Sequence, residues 1–164
     1  GMGLEYFLLK RGPLTMAPSQ LGAFARSDPS RETPNLQYHI QPLSLDAFDK
    51  PPHPFPAFTA SVCNLRPESR GTVRLKSPDA RDAPAIRPNY LSTEGDRRVA
   101  ADAIKLTRRI VAARALAKYA PSEFLPGPEI IEDAALAEAA GRIATTIFHP
   151  VGTCKMGPDA SAVV

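Results

Sequence analysis

His149 lies in the run Phe148-His149-Pro150-Val151-Gly152-Thr153-Cys154-Lys155-Met156-Gly157, where residue types and spacing suggest chemistry. Pro150 fixes its own backbone angle and disfavours helical geometry at His149, while Gly152 and Gly157 admit turns or close approach of backbone to a ligand. An amphipathic run precedes, so the imidazole falls where a helix must stop and a loop begin. That setting suits a side chain that moves a proton near neutral pH. A histidine so placed also serves as a helix cap or a hydrogen-bonded surface group, and spacing alone does not separate these readings. Cys154 is the nearest nucleophile, but in a Pro/Gly loop the two need not face each other, and further ligands at metal-binding spacing are wanting. Thiolate catalysis and a metal site are therefore set aside.

The elements that must carry this loop are legible as periodicities. Asp133 can cap a helix whose Leu136, Ala140 and Ile143 face inward, and this helix feeds Thr145, Thr146, Ile147 and Phe148 straight into His149. A longer helix starts near Thr93, with Thr93 and Asp96 as a capping pair, and runs toward Tyr119 before Pro121. Its Val99, Ala103, Leu106, Ile110, Ala113 and Ala117 form a stripe for packing on a sheet, and Arg98, Asp102, Lys105, Arg109 and Arg114 form a solvated face. Leu4 to Lys10 is a short helix ended by Gly12-Pro13.

Asn35 to Pro42 alternates as a strand, with Leu36, Tyr38 and Ile40 on one face and Gln37, His39 and Gln41 on the other. Phe58 to Arg66 and Thr72 to Ser77, flanking Pro67 to Gly71, predict a hairpin. In it Cys63 is an inert core residue, and Arg66, Arg70 and Arg74 either keep strand edges soluble or bind an anion. Ala85 to Tyr90 is a further short strand, Pro13 to Asp28 has no clean periodicity, and Pro42 to Pro56 is an irregular, exposed connection in which His53 is solvated. Together these give an α+β fold, an antiparallel sheet of about five or six strands with helices packed on one face.

Composition narrows the function classes. The 164 residues suit one domain with its own core, and 43% hydrophobic with 23% charged residues is ordinary for a globular chain. The net charge of +3 comes from scattered basic residues without interleaved aromatics, and Trp is absent, so nucleic acid is not an expected partner. No apolar run approaches the roughly 18 residues of a membrane span. Cys63 and Cys154 are too few and too far apart for a disulfide scaffold, which suits a reducing cytoplasm. Gly1 ahead of Met2 reads as a remnant of tag removal, and the end at Ala162-Val163-Val164 as that of an excised segment.

Four strings in order, Gly12-Pro13-Leu14-Thr15, Pro67-Glu68-Ser69-Arg70-Gly71-Thr72-Val73-Arg74-Leu75, Pro88-Asn89-Tyr90-Leu91 and the His149 run, resemble successive signatures of the glucose-methanol-choline family of flavin-dependent alcohol oxidoreductases. The resemblance covers nearly the whole chain. It implies that residues 1–164 are the substrate-binding domain of a longer flavoprotein whose FAD-binding domain and extreme C-terminal segment lie elsewhere. It also implies that His149 accepts the hydroxyl proton of a small primary alcohol as hydride passes to FAD, with Pro150 and Val151 facing the flavin. In choline-oxidising members a histidine matching His39 lines the substrate cavity, and Tyr38 and Phe148 are further candidates for that wall. The ten glycines contain no G-x-G-x-x-G, so FAD is expected in the full-length enzyme and not bound to this fragment. The expected partners are the alcohol and the missing FAD-binding domain. The alternative is a non-catalytic interaction module that retains the motif.

Overall fold

The computed structural model describes residues 2–17, 19–47, 49–149 and 151–164, so Pro150 lies outside the described residues. The chain divides into two compact units, one of residues 1–66 with 102–114 and one of residues 67–101 with 115–164.

In the first unit, β1 (Leu21–Ala25), β2 (Leu36–Gln41) and β3 (Thr59–Asn64) make an antiparallel sheet with β2 at its centre. Tyr38 stands opposite Ala23 and Val62, and Leu36 opposite Ala25 and Asn64. Since side chains alternate across a strand, these residues share one face. The second half of α2 (Glu94–Val111) belongs to this unit and covers that face. There Leu36, Tyr38 and Ala103 are buried. A buried phenol needs a partner, and the Tyr38 hydroxyl finds Thr107 Oγ1 at 3.1 Å and the Ala103 carbonyl at 3.4 Å. Buried Asn35 closes the β1–β2 connection: its Oδ1 accepts from the Ser27 N–H and its Nδ2 donates to Ser27 Oγ, each at 2.9 Å. Helix α1 (Met2–Leu9) is apolar nearly all round and buries none of its residues.

The second unit holds the first half of α2, the two-stranded sheet of β4 (Thr72–Arg74) and β5 (Ala85–Arg87), and α3 (Asp133–Ile143). Its core is Val99 and Ala101 of α2 with Leu136, Ala137 and Ala139 of α3. Among the described residues, no helix is long and apolar enough to cross a membrane.

The α+β class is as expected, but the five strands among the described residues form two antiparallel sheets, of three and two strands, rather than one of five or six, and β3 does not pair with β4 as the predicted hairpin requires. Pro67 to Gly71 is not a hairpin turn because its backbone donors are taken by a helix. The buried carboxylate of Asp96 accepts from the N–H of Glu68 (2.9 Å), the N–H of Ser69 (2.7 Å) and the Ser69 hydroxyl. Ser69 Oγ in turn accepts from the Ser92 N–H at 2.9 Å, and the Asp96 N–H donates to Thr93 Oγ1 at 3.1 Å, the cap expected from sequence. β4 is then free to pair with β5. Gly71 allows this: a Cβ there would lie 2.2 Å from the Arg87 carbonyl oxygen and 2.5 Å from that of Pro88.

Both long helices depart from their predicted limits. α2 ends at Val111, and the bond from the Ala113 N–H to the Ile110 carbonyl tightens its last turn toward the 3₁₀ segment Arg114–Tyr119. Glu132, not Asp133, occupies the N-cap position of α3, without a side-chain cap bond. On α3 the buried side is Leu136, Ala137 and Ala139, and Ile143 is exposed.

Two predictions follow from this strap. Gly71→Ala should destabilise the chain by about 1–3 kcal/mol in urea melts, because the obstacle is backbone and cannot swing aside. Burial pushes the Asp96 carboxyl up, but bonds from the Ser69 hydroxyl, the Glu68 and Ser69 N–H groups and the Thr93 side chain outweigh it, holding the pKa below the ordinary carboxylate value. The folded state therefore binds the proton less readily than the unfolded chain. Its contribution is complete above ~pH 5 and is lost as pH falls through the folded value. Urea melts of Asp96→Asn from neutral into acid pH should show lower stability at pH 7 and a shallower acid loss than the parent.

Candidate functional site

The His149 loop is held by local turns. α3 stops at Ile143, where the N–H of Ala144, in extended geometry, caps the Ala140 carbonyl at 2.8 Å. The following residues are non-helical, so His149 is not at the helix exit as the sequence suggests. The Phe148 N–H bonds Thr146 Oγ1 at 3.0 Å, and Phe148 has φ of 63°, a left-handed turn just before the histidine. His149 is exposed, as is Phe148, and Val151 is 90% exposed. Gly152 has φ of 96°, and a Cβ there would meet nothing within 4 Å.

Beyond it the chain closes on itself. The Val163 N–H donates to the Lys155 carbonyl at 2.8 Å, and the Lys155 ammonium reaches Asp159 and, at 3.1 Å, Ser161 Oγ. The bond from Lys155, aided by Ser161, holds the Asp159 carboxyl below its usual value. Cys154 is a free, exposed thiol.

His39 occupies a different setting, on the face of the three-stranded sheet opposite Tyr38. In register it stands between Gly22 of β1 and Ser61 of β3, with Gln37 beside Phe24 and Cys63, and Gln41 beside Thr59. Its Nε2 is buried and has no hydrogen-bond partner among the described residues. An unpaired buried polar atom is costly, and no described residue offsets that cost here. The β1 side is open, since even a Cβ on Gly22 would meet only the Tyr38 carbonyl, at 3.6 Å. Burial pushes the Cys63 thiol up, against hydrogen bonds that lower it, which keeps the sulfur protonated and unreactive.

Tyr38 points away from this face into the helix-covered one, so a ligand resting on His39 does not meet its ring. Burial raises the Tyr38 pKa despite the Thr107 bond. Gly22, Phe24 and Ser61 were not foreseen as neighbours of His39, because strand register is not written in any single segment. Tyr38 and His39 belong to the first unit, and Phe148, His149 and Val151 to the second. Two concavities, of about 450 Å³ along α1 and about 420 Å³ on the β4–β5 hairpin, involve neither histidine. Among the described residues, no group of three or more His, Cys, Asp or Glu could hold a metal ion.

Comparison with known proteins points in one direction. The family model described as GMC oxidoreductase matches residues 67–164. The chain is 39% identical over 164 residues to the alcohol dehydrogenase (acceptor) of Pseudomonas putida. It is 37% identical over 165 residues to oxygen-dependent choline dehydrogenase 1 of Chromohalobacter salexigens. Among solved structures it resembles pyridoxine 4-oxidase from Mesorbium loti, with a TM-score of 0.77 and 30% identity over 90% of this chain and 29% of that one. The two curated relatives are each matched by 99% of this chain, which spans 30% of their length.

His53, expected to be solvated, is instead mostly enclosed. Its ring nitrogens lie 3.0 Å from Ser44 Oγ and 3.1 Å from Asp46 Oδ1, its N–H donates to the Ser44 carbonyl at 2.8 Å, and its ring stacks on Phe55 at 5.1 Å. A proline-rich segment has few backbone bonds of its own, so one imidazole with two ring nitrogens and a flat face serves as its pin. His53→Ala should cost about 1–2 kcal/mol and speed amide exchange across 44–55, with β2 and β3 unaffected. Hydrogen-exchange mass spectrometry checks this.

Proposed function

This chain belongs to the GMC oxidoreductase family, and we propose that it is the substrate-binding part of a longer FAD-dependent enzyme that oxidises a primary alcohol, with His149 as proton acceptor. The observation that carries this reading is the exposed His149 loop inside the family-matched region, with Val151 open to be covered by another body. Phe148 and Gly152, both at positive φ, flank His149 in sequence, and the imidazole is exposed.

FAD, when bound by the full-length enzyme, would supply the hydride acceptor. The described residues fit only one side of it. Phe148 and Val151 give exposed apolar surface of the kind a flat ring system covers, whereas the strand pairs are all antiparallel and offer no βαβ phosphate cradle. Pro150, the other flavin-facing candidate that the resemblance implies, lies outside the described residues. The grip on FAD therefore comes from the rest of the enzyme, which is the partner this chain requires.

The hydroxyl proton of the alcohol passes to the His149 imidazole as the carbon is oxidised to a carbonyl. General-base assistance of this kind is typically 10²- to 10⁴-fold. His39, whose Nε2 has no hydrogen-bond partner among the described residues, is a separate candidate for contact with a polar group of the substrate. Phe148 forms an apolar wall beside the reacting carbon. The relatives are named for choline, alcohol and pyridoxine. Among the described strand residues paired on the His39 face, Phe24 supplies an aromatic ring and none is a carboxylate, so a quaternary ammonium such as that of choline would find its main partners elsewhere in the enzyme. The two free cysteines suit a cytoplasmic enzyme.

The test is a longer clone that includes the FAD-binding part, assayed for alcohol-dependent reduction of a dye. His149→Ala should lower kcat by about 10²- to 10⁴-fold with flavin content unchanged. An unchanged rate would refute the role, and a long form that holds flavin but never reduces the dye would return the chain to a binding module. For the 164-residue chain alone, added FAD should keep its fluorescence. Stoichiometric quenching would contradict the assignment of the cofactor grip to the rest of the enzyme.

A further inference from the structure

The β4–β5 hairpin presents a second pattern that alcohol oxidation does not use. Thr72 pairs with Arg87 and Arg74 with Ala85, so these four side chains share one face, with Val73 and Ile86 on the other. With Leu75, they line a concavity of about 420 Å³. The two guanidiniums occupy diagonal positions, where cross-strand neighbours lie about 7–8 Å apart and like charges repel.

Nearby acids are engaged elsewhere. Asp79 takes the Arg81 guanidinium at 2.6 Å, and Asp82 accepts the Ser77 hydroxyl at 2.6 Å. Arg70, the neighbouring base, donates to the carbonyls of Pro67 and Ser69 at 2.9 and 3.1 Å. Arg74 and Arg87 make no side-chain hydrogen bond or ion pair among the described residues. Charges that merely keep a strand edge soluble diverge into water, whereas these two share a concavity with a hydroxyl.

We propose that this face, built by Thr72, Arg74 and Arg87, binds the phosphate group of a small molecule. A carboxylate is satisfied by one guanidinium fork, but a phosphate dianion matches two positive charges, and its tetrahedral oxygens reach donors on both strands at once. The floor is firm, because Gly71 packs against the backbone of Arg87 and Pro88 and Asn89 Nδ2 bonds the Arg70 carbonyl at 3.0 Å. Leu75, 85% exposed at the rim, leaves room for an organic group attached to the phosphate.

The test is an NMR titration of the 164-residue chain with inorganic phosphate, then with adenosine monophosphate, at pH 7.5 and ionic strength held constant with sodium chloride. Saturable shifts confined to residues 72–75 and 85–87, with a dissociation constant of roughly 1 mM, are expected. Tighter binding of the nucleotide would identify an organophosphate as the ligand, and equal binding would identify free phosphate. Arg74→Gln and Arg87→Gln should each weaken binding about tenfold or more, whereas Arg81→Gln, whose partner is Asp79, should leave it unchanged. The same spectra report whether each variant is folded. Shifts that do not saturate, that spread over all basic residues, or that survive both substitutions would overturn the proposal.

Discussion

One buried carboxylate fixes the course of the chain between its sheets. Asp96 draws in two backbone N–H groups and a hydroxyl from Glu68 and Ser69, and so turns a segment that looks like a hairpin turn into a strap across the start of α2. β3 is then left to β2 and β4 to β5. The same helix that carries Asp96 presents Thr107 to the Tyr38 hydroxyl, so one rod supplies the polar anchor in each unit. Loss of either anchor leaves a buried polar group unsatisfied, which is why both pairs act as constraints and not as decoration of an already stable core.

The two candidate histidines, one in each unit, are prepared in opposite ways. His39 is fixed on a central strand, half-covered, with one nitrogen buried and unpartnered, so its position is set and its bonding capacity is not. His149 is exposed on a loop whose geometry comes from left-handed residues and a Thr146 turn. An exposed imidazole can serve as a proton acceptor if the wall of its cavity arrives with another part of the enzyme.

What could be read from the sequence follows physical lines. The alternation of Leu36 to Gln41 predicted both β2 and the division of its faces, and the Thr93 hydroxyl announced the start of α2, because such signals lie within one segment. Pairing was not legible, since whether β3 meets β2 or β4 depends on contacts made by Ser69 with a residue 27 positions away. β1 escaped notice because Leu21-Gly22-Ala23-Phe24-Ala25 shows no contrast between its faces, and only the partner strand distinguishes them. His53 was misjudged for a related reason: proline content announces an irregular backbone but says nothing of a side chain that pins it. The His149 motif itself was plain, whereas its separation from α3 depended on the extended cap at Ala144.

The most direct measurement is chemical rescue. In the flavin-loaded longer enzyme carrying His149→Ala, alcohol-dependent dye reduction should rise with added imidazole and saturate, as a free base takes the place of the missing ring. No recovery in that variant, or equal stimulation of the unmodified enzyme, would contradict a proton-accepting role for His149.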